Sequence, residues 1–246
     1  MKIQFELQPL HLPLRYAWRL SRNSTTFKDN FIIRACRGSL EGLGEIAPNI
    51  RYGETPDRIS SQFSTIKKQA EANADQPEWS DFLKGQPICQ SLKMGLDMAH
   101  TRLLAAEKGK SLASYLNLAE PKPRPIAYTI PVMNPDEIQG FIEKENLNRF
   151  SWLKVKVNRE LAFPMMEEIL KRVNVPIAID GNEAWTDVEE VAKFSTLLPK
   201  DRILFLEQPL PASQKDDYRK LSALSSLPIW GDESVLYEPD PEFWQA

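Results

Sequence analysis

The stretch PIAIDGNEAWTDVEEVAKFSTLLPKDRILFLEQP, residues 176–209, decides the fold. It opens with PIAID (176–180) and comes back to ILFLE (203–207), two short apolar runs of strand length that each close on a carboxylate. Residues 186–198 between them predict a helix. Strand, helix, strand at this length is a βαβ unit, and its two strands run parallel because the crossover returns the chain to its starting end. The same texture extends outward. IAYTIPV (126–132), WLKVKV (152–157) and PIWGD (228–232) predict further strands, with helices at 135–146, 160–172 and 214–225. Strand starts recur roughly every 25 residues, which predicts an α/β domain with a parallel sheet and helices outside it. No glycine-rich phosphate loop follows the first of these strands, which argues against a nucleotide-binding doubly wound sheet. Charged residues gathered at strand C-termini are the habit of a (β/α) barrel.

Asp180, Glu207 and Asp232 stand at or near the ends of three successive strands, and equivalent positions on adjacent parallel strands point into one space. Lys154 and Lys156 are two apart on the preceding strand, so both project to the same face. Three anionic oxygen ligands beside two lysines suit a hard divalent cation facing a proton-abstracting base. Oxygen-only ligands favour Mg²⁺, with Mn²⁺ as a substitute. Singly, each residue is commonplace, since an Asp at a strand end often caps the next helix and a Lys-Val-Lys strand is usually a solvated one. The ordered set carries the argument.

The first 120 residues read differently. IQFEL (3–7) and FIIRAC (31–36) predict short strands, SLEGLGE a turn, and 56–74 and 90–107 helices, the second with Leu92, Leu96, Ala99 and Leu103 at helical spacing. PKPRP (121–125) is a stiff break between the two textures, so the expected domains are 1–120 and 121–246. The chain has 246 residues, 42% hydrophobic and 26% charged, with a net charge of −3 and no block of like charge. Neither nucleic acid nor an anionic membrane is an expected partner. No apolar run reaches the roughly 18 residues of a membrane span, and MKIQFELQPLHLPL lacks the apolar core of a signal peptide. Cys36 and Cys89 are too few for a disulfide framework, so a cytoplasmic protein is expected. His100, among apolar neighbours, reads as a packing or surface histidine rather than a ligand.

KVK (154–156), DGN (180–182), EQP (207–209) and GDES (231–234), in this order, resemble the muconate-lactonizing subgroup of the enolase superfamily. GLGEIAPN (42–49), RYGET (51–55) and GLDMAHTRLLAAEKGKSL (95–112) resemble that family's α+β capping domain. AYTIPV, APNIRYGETP, LEQPLP and LPIWGDES are most similar to dipeptide epimerases of the Ala-Glu type. The resemblance implies a capping domain at 1–120 and part of a TIM-type barrel at 121–246, about five strands of eight. It implies an isomerase that epimerises a small dipeptide by removing the proton α to a carboxylate, with a homo-oligomer compatible. Asp180, Glu207 and Asp232 would hold the metal, Lys156 would be the base with Lys154 beside it, and Asn182 and Glu233 would support them from behind. Arg22, Thr129, Arg51 and Tyr52 would read the substrate. Alternatives within the resemblance are an o-succinylbenzoate synthase, an N-acylamino acid racemase, or an inactive remnant. The family's second acid/base is a lysine on the sixth barrel strand. No lysine follows Lys220, so the expectation is a chain cut after the fifth strand.

Overall fold

The computed structural model describes residues 1–19 and 24–235. The chain forms two compact units, Met1–Arg15 with Phe27–Pro123 and Tyr16–Thr26 with Arg124–Ala246. The first is therefore not one unbroken stretch, as a cut at 120 alone would make it, because residues 16–26 group with the second half of the chain.

β1 (Gln4–Arg19), β2 (Ser24–Arg37) and β3 (Leu40–Ile46) form a sheet in that order, with β2 and β3 antiparallel; the sheet lies in the first unit except for the end of β1 and the start of β2, which group with the second. Both long strands outrun the short ones expected. Pro9 and Pro13 lie inside β1, where an edge strand tolerates the missing donors. The helices α1 (Pro56–Asn73), α2 (Trp79–Gly85), α3 (Gln90–Glu107) and α4 (Leu112–Tyr115) follow. Thr55 caps α1 by accepting from Arg58 N, and Pro56 starts it where a missing N–H costs nothing. Ile3, Phe5, Ile33, Ile46, Ile59, Leu92, Leu96 and Leu103 are fully buried, each stabilising the unit by roughly 1.5–3 kcal/mol against exposure. β3 and α3 touch backbone to backbone. A Cβ at Gly44 would stand 2.2 Å from the Gly95 carbonyl oxygen, so the GLG of β3 is a packing requirement. His100 is buried in this core, its Nε2 donating to the Ala74 carbonyl at 2.7 Å.

The second unit holds, among the described residues, a parallel sheet of β4 (Tyr128–Ile130), β5 (Leu153–Lys156), β6 (Ile177–Asp180), β7 (Ile203–Glu207) and β8 (Ile229–Trp230). Between them run α5 (Ile138–Glu145), α6 (Ala162–Leu170), α7 (Val188–Thr196) and α8 (Lys215–Leu224). Strand order equals chain order, with no reversal. A doubly wound sheet reverses at its switch point, whereas successive right-handed crossovers without reversal put every helix on one side, as in part of a barrel. Leu153, Val155, Ile177, Ile179, Ile203 and Leu206 join the helices in one core. Alternation then assigns Lys154, Lys156, Ala178 and Asp180 to the other face of the sheet, and Glu207 with them because the register shift after Ile203 turns the rest of β7 over. No helix of the described residues is long and apolar enough to cross a membrane.

Candidate active site

Register brings the charged residues together. Lys156 is paired with Asp180, Asp180 with Glu207, and Glu207 with Trp230, so three charged side chains and one tryptophan stand in a row across four strands. Thr129 on β4 is level with Lys154 and half-buried. Lys156 is buried, and its Nζ donates to Asp180 Oδ2 and Asn182 Oδ1, both at 2.7 Å. Lys154 Nζ lies 2.9 Å from Asp180 Oδ2 and 2.8 Å from Glu207 Oε2. Behind this pair, Asn182 N donates to Asp180 Oδ1 at 3.0 Å, and Asn182 Nδ2 donates to the buried Glu233 at 3.3 Å.

The backbone is strained where these groups meet. Asn182, Glu183 and Gln208 all have positive φ, and all lie within three residues of Asp180 or Glu207. Non-glycine residues stay in that region only when the surroundings hold them there. Here the two turns are tied together: Glu183 N donates to the Gln208 carbonyl at 2.7 Å, and Gln208 N to the Trp230 carbonyl at 2.8 Å. Gln208, fully buried, was not among the residues singled out from sequence. Its Oε1 accepts from Asp232 N at 2.8 Å and Ser234 N at 3.1 Å, while its Nε2 donates to the Leu210 carbonyl at 3.0 Å. One amide thus fixes the turn that carries Asp232 to the end of β7. Only the adjacency of Gln to Glu207 hinted at this, because a buried amide has no periodicity to read.

Asp232 itself is exposed, in the bend two residues past β8. Among the described residues no three carboxylate, histidine or cysteine groups form a ready cluster of metal ligands. The sequence led us to expect the acids converging on one cation; instead, the ammonium groups of Lys154 and Lys156 sit on Asp180 and Glu207. The chemistry of the donor set still fits a divalent ion. Asp180 and Glu207 offer carboxylate oxygens side by side, and Asp232 lies near enough to Glu207 for its charge to act on it, an oxygen-only set of the kind a hard divalent cation takes. The crowding is visible in Glu207. Burial pushes its carboxyl up, and the charges of Asp180 and Asp232 add to this against the hydrogen bond from Lys154. Burial pulls Lys154 down, but Asp180 and Glu207 outweigh it and hold the ammonium above its ordinary value.

Arg51 and Tyr52 lie on an exposed 3-10 turn of the first unit, Ile50–Tyr52. Glu54, also overlooked in the sequence, is buried and pins that loop, accepting from Asn49 N and Ser91 N at 3.1 Å each. Arg22 lies outside the described residues. A concavity of about 650 Å³ between α7 and α8, lined by Asp187 and Lys220, contains none of the strand-end carboxylates.

The sequence profile described as enolase C-terminal domain-like matches residues 137–239. The matched stretch contains Lys154, Lys156, Asp180, Glu207 and Asp232. Over 95% of the chain, the sequence is 26% identical to the L-Ala-D/L-amino acid epimerase of Flavobacterium johnsoniae, of which it covers 69%. It is 27% identical, again over 95%, to the L-Ala-D/L-Glu epimerase of Bacteroides thetaiotaomicron, of which it covers 61%. The chain thus spans between three fifths and seven tenths of these curated relatives, which are isomerases by name. Two solved structures share the fold. An enolase family member from Agrobacterium tumefaciens, with bound sodium and L-Ala-L-Glu, superposes with a TM-score of 0.84 at 22% identity, over 94% of this chain and 69% of that one. A dipeptide epimerase from Enterococcus faecalis, complexed with Mg and L-Leu-L-Tyr, gives 0.82 at 22% identity, over 95% and 68%.

Proposed function

We propose that the enolase-like domain removes the proton α to the carboxylate of a dipeptide, as part of an epimerisation of the Ala-Glu type. The observation that carries this reading is the buried Lys156 Nζ, held by Asp180 and Asn182 in the row that ends β5, β6 and β7. The names of the relatives support the substrate class.

Asp180, Glu207 and Asp232 would hold a Mg²⁺ ion. Bound there, it supplies positive charge for a carboxylate that becomes doubly anionic when its α-carbon loses a proton. The chain's own groups do the rest. Lys156, in its neutral form, takes the α-proton on Nζ: the C–H bond breaks, its electron pair passes into the carboxylate as an enediolate, and the proton forms a new N–H bond. Asn182 Oδ1 and Asp180 Oδ2 fix where that nitrogen points, which is the positioning a proton transfer requires. Lys154 binds substrate carboxylate oxygens through the ammonium it now lends to Asp180 and Glu207. Return of the proton from Lys156 restores the same hand, so this lysine alone exchanges without inverting. Thr129, level with Lys154, and Arg51, Tyr52 and Arg22 are the proposed readers of the rest of the dipeptide.

The test is Lys156→Ala. It should abolish α-proton exchange of L-Ala-L-Glu with solvent, by about 10³-fold or more given what a positioned base contributes, while Mg²⁺ binding by calorimetry stays within threefold or so of the unmodified protein. Exchange that survives the substitution removes Lys156 from this role.

A further inference from the structure

Tyr16–Arg19, the end of β1, belongs to the same compact unit as the lysines. Residues two apart on a strand share a face, so Tyr16 and Trp18 project together. The Trp18 ring lies 5.8 Å from Lys156 Nζ, within cation–π range of the proposed base. Tyr16 is held from several sides. Its hydroxyl donates to Glu145 Oε1 at 2.5 Å, its ring meets Phe141 edge-on at 4.9 Å, and Lys144 Nζ sits 5.2 Å over it. Val132 N donates to the Arg19 carbonyl at 3.4 Å, tying down the far end of the segment.

Glu145 is the unusual member. It is the last residue of α5 and is 6% exposed. Burial disfavours a carboxylate, and so does the negative end of a helix dipole, so two costs fall on one group. Phenol hydroxyls offset them: Tyr16 at one oxygen and Tyr128, at 3.2 Å, at the other. Glutamine or leucine would fill the place at lower cost if packing were the only need. We infer that Glu145 is a positioning residue for the lysine site: by clamping Tyr16 it holds Trp18 over Lys156 and makes residues 16–19 a fixed wall of that site. This rests on the proposed role of Lys156 for its catalytic meaning, though not for the geometry of the clamp.

The test labels lysines with acetic anhydride and reads each by mass spectrometry, taking exposed Lys171 as the internal reference. Tyr16→Phe keeps the ring on Phe141 and removes only the hydroxyl; Glu145→Gln keeps the shape and removes the charge. Either should raise labelling of Lys156 relative to Lys171 about tenfold, the effect of one lost hydrogen bond to a charged acceptor. Trypsin should cut after Arg19 correspondingly faster. Trp18→Leu should raise Lys156 labelling while leaving that cleavage unchanged, since the clamp is intact. In α-proton exchange of L-Ala-L-Glu, Tyr16→Phe should raise KM about tenfold with kcat within about twofold. Lys156 labelling within twofold or so of the unmodified protein in both Tyr16→Phe and Glu145→Gln overturns the clamp. If the unmodified protein exchanges no α-proton, the functional reading fails, while the labelling ratios still decide the clamp.

Discussion

Lys154 holds together two carboxylates, Asp180 and Glu207, that would otherwise repel. Lys154→Met should therefore lower the stability of the metal-free protein by about 2 kcal/mol, a fraction of what breaking a fully buried pair costs because Lys154 is partly exposed. Mg²⁺ should raise the melting temperature of that variant more than it raises that of the unmodified protein, since the ion no longer competes with an ammonium. An equal rise in both would mean that Lys154 and the metal do not share these oxygens. Gln208 offers the complementary change. Gln208→Ala leaves the Asp232 and Ser234 N–H groups without their acceptor and should weaken Mg²⁺ binding by about tenfold, measured by calorimetry, because the Asp232 turn is no longer fixed. At this scale, sequence spacing was enough to nominate Lys154, Lys156, Asp180 and Glu207; the register sets Lys156, Asp180 and Glu207 in one row and Lys154 two residues before it. It did not reveal Gln208, Trp18 or Glu145, whose roles depend on burial and on contacts between distant parts of the chain. Nor did it foresee that Lys154 and Lys156 would pair directly with Asp180 and Glu207.

Among the elements, the βαβ repeat was legible because two periodicities alternate cleanly, and each predicted strand from β4 to β8 forms where its apolar run lies. The strands are shorter than their runs: IAYTIPV yields Tyr128–Ile130 alone, and PIWGD yields Ile229–Trp230. Pro131 and Pro228 bound them, as residues without a donor must. β1 was cut short in the sequence reading for the same reason, since Pro9 and Pro13 signal breaks that an edge strand absorbs. The contact of β3 with α3 was beyond reach of pattern, because GLG reads as a turn until a helix is seen lying on it. Gly44→Ala places a methyl group against the Gly95 backbone, which has no side chain to swing away. Chemical denaturation of that variant should show a loss of about 3 kcal/mol in the first unit, at the upper end of overpacking costs. A loss below about 0.5 kcal/mol would mean that β3 and α3 separate freely.

For the whole molecule, the two units carry separate cores and separate pH responses. His100 is buried in the first, where burial lowers its pKa from 6.5 against the opposing hydrogen bond to Ala74 and the charges of Asp97 and Asp75. A depressed value means that the unfolded chain binds the proton more readily. The contribution of His100 is therefore complete above pH 6.5 and is lost as the pH falls below it. Between pH 7.5 and 5.5 the unmodified protein should lose about 1 kcal/mol more stability than His100→Gln does, the difference isolating this group from the carboxylates. The second unit carries the central claim, that Lys156 at the end of β5 takes an α-proton from a dipeptide beside a metal held by Asp180, Glu207 and Asp232. Its most direct test is ¹H NMR of L-Ala-L-Glu in D₂O with this chain, first with Mg²⁺ and then with EDTA. The account predicts loss of the α-proton signal that requires Mg²⁺ and disappears in Lys156→Ala. An α-proton that stays in place with Mg²⁺ present, in a sample whose circular dichroism shows it folded, would contradict it.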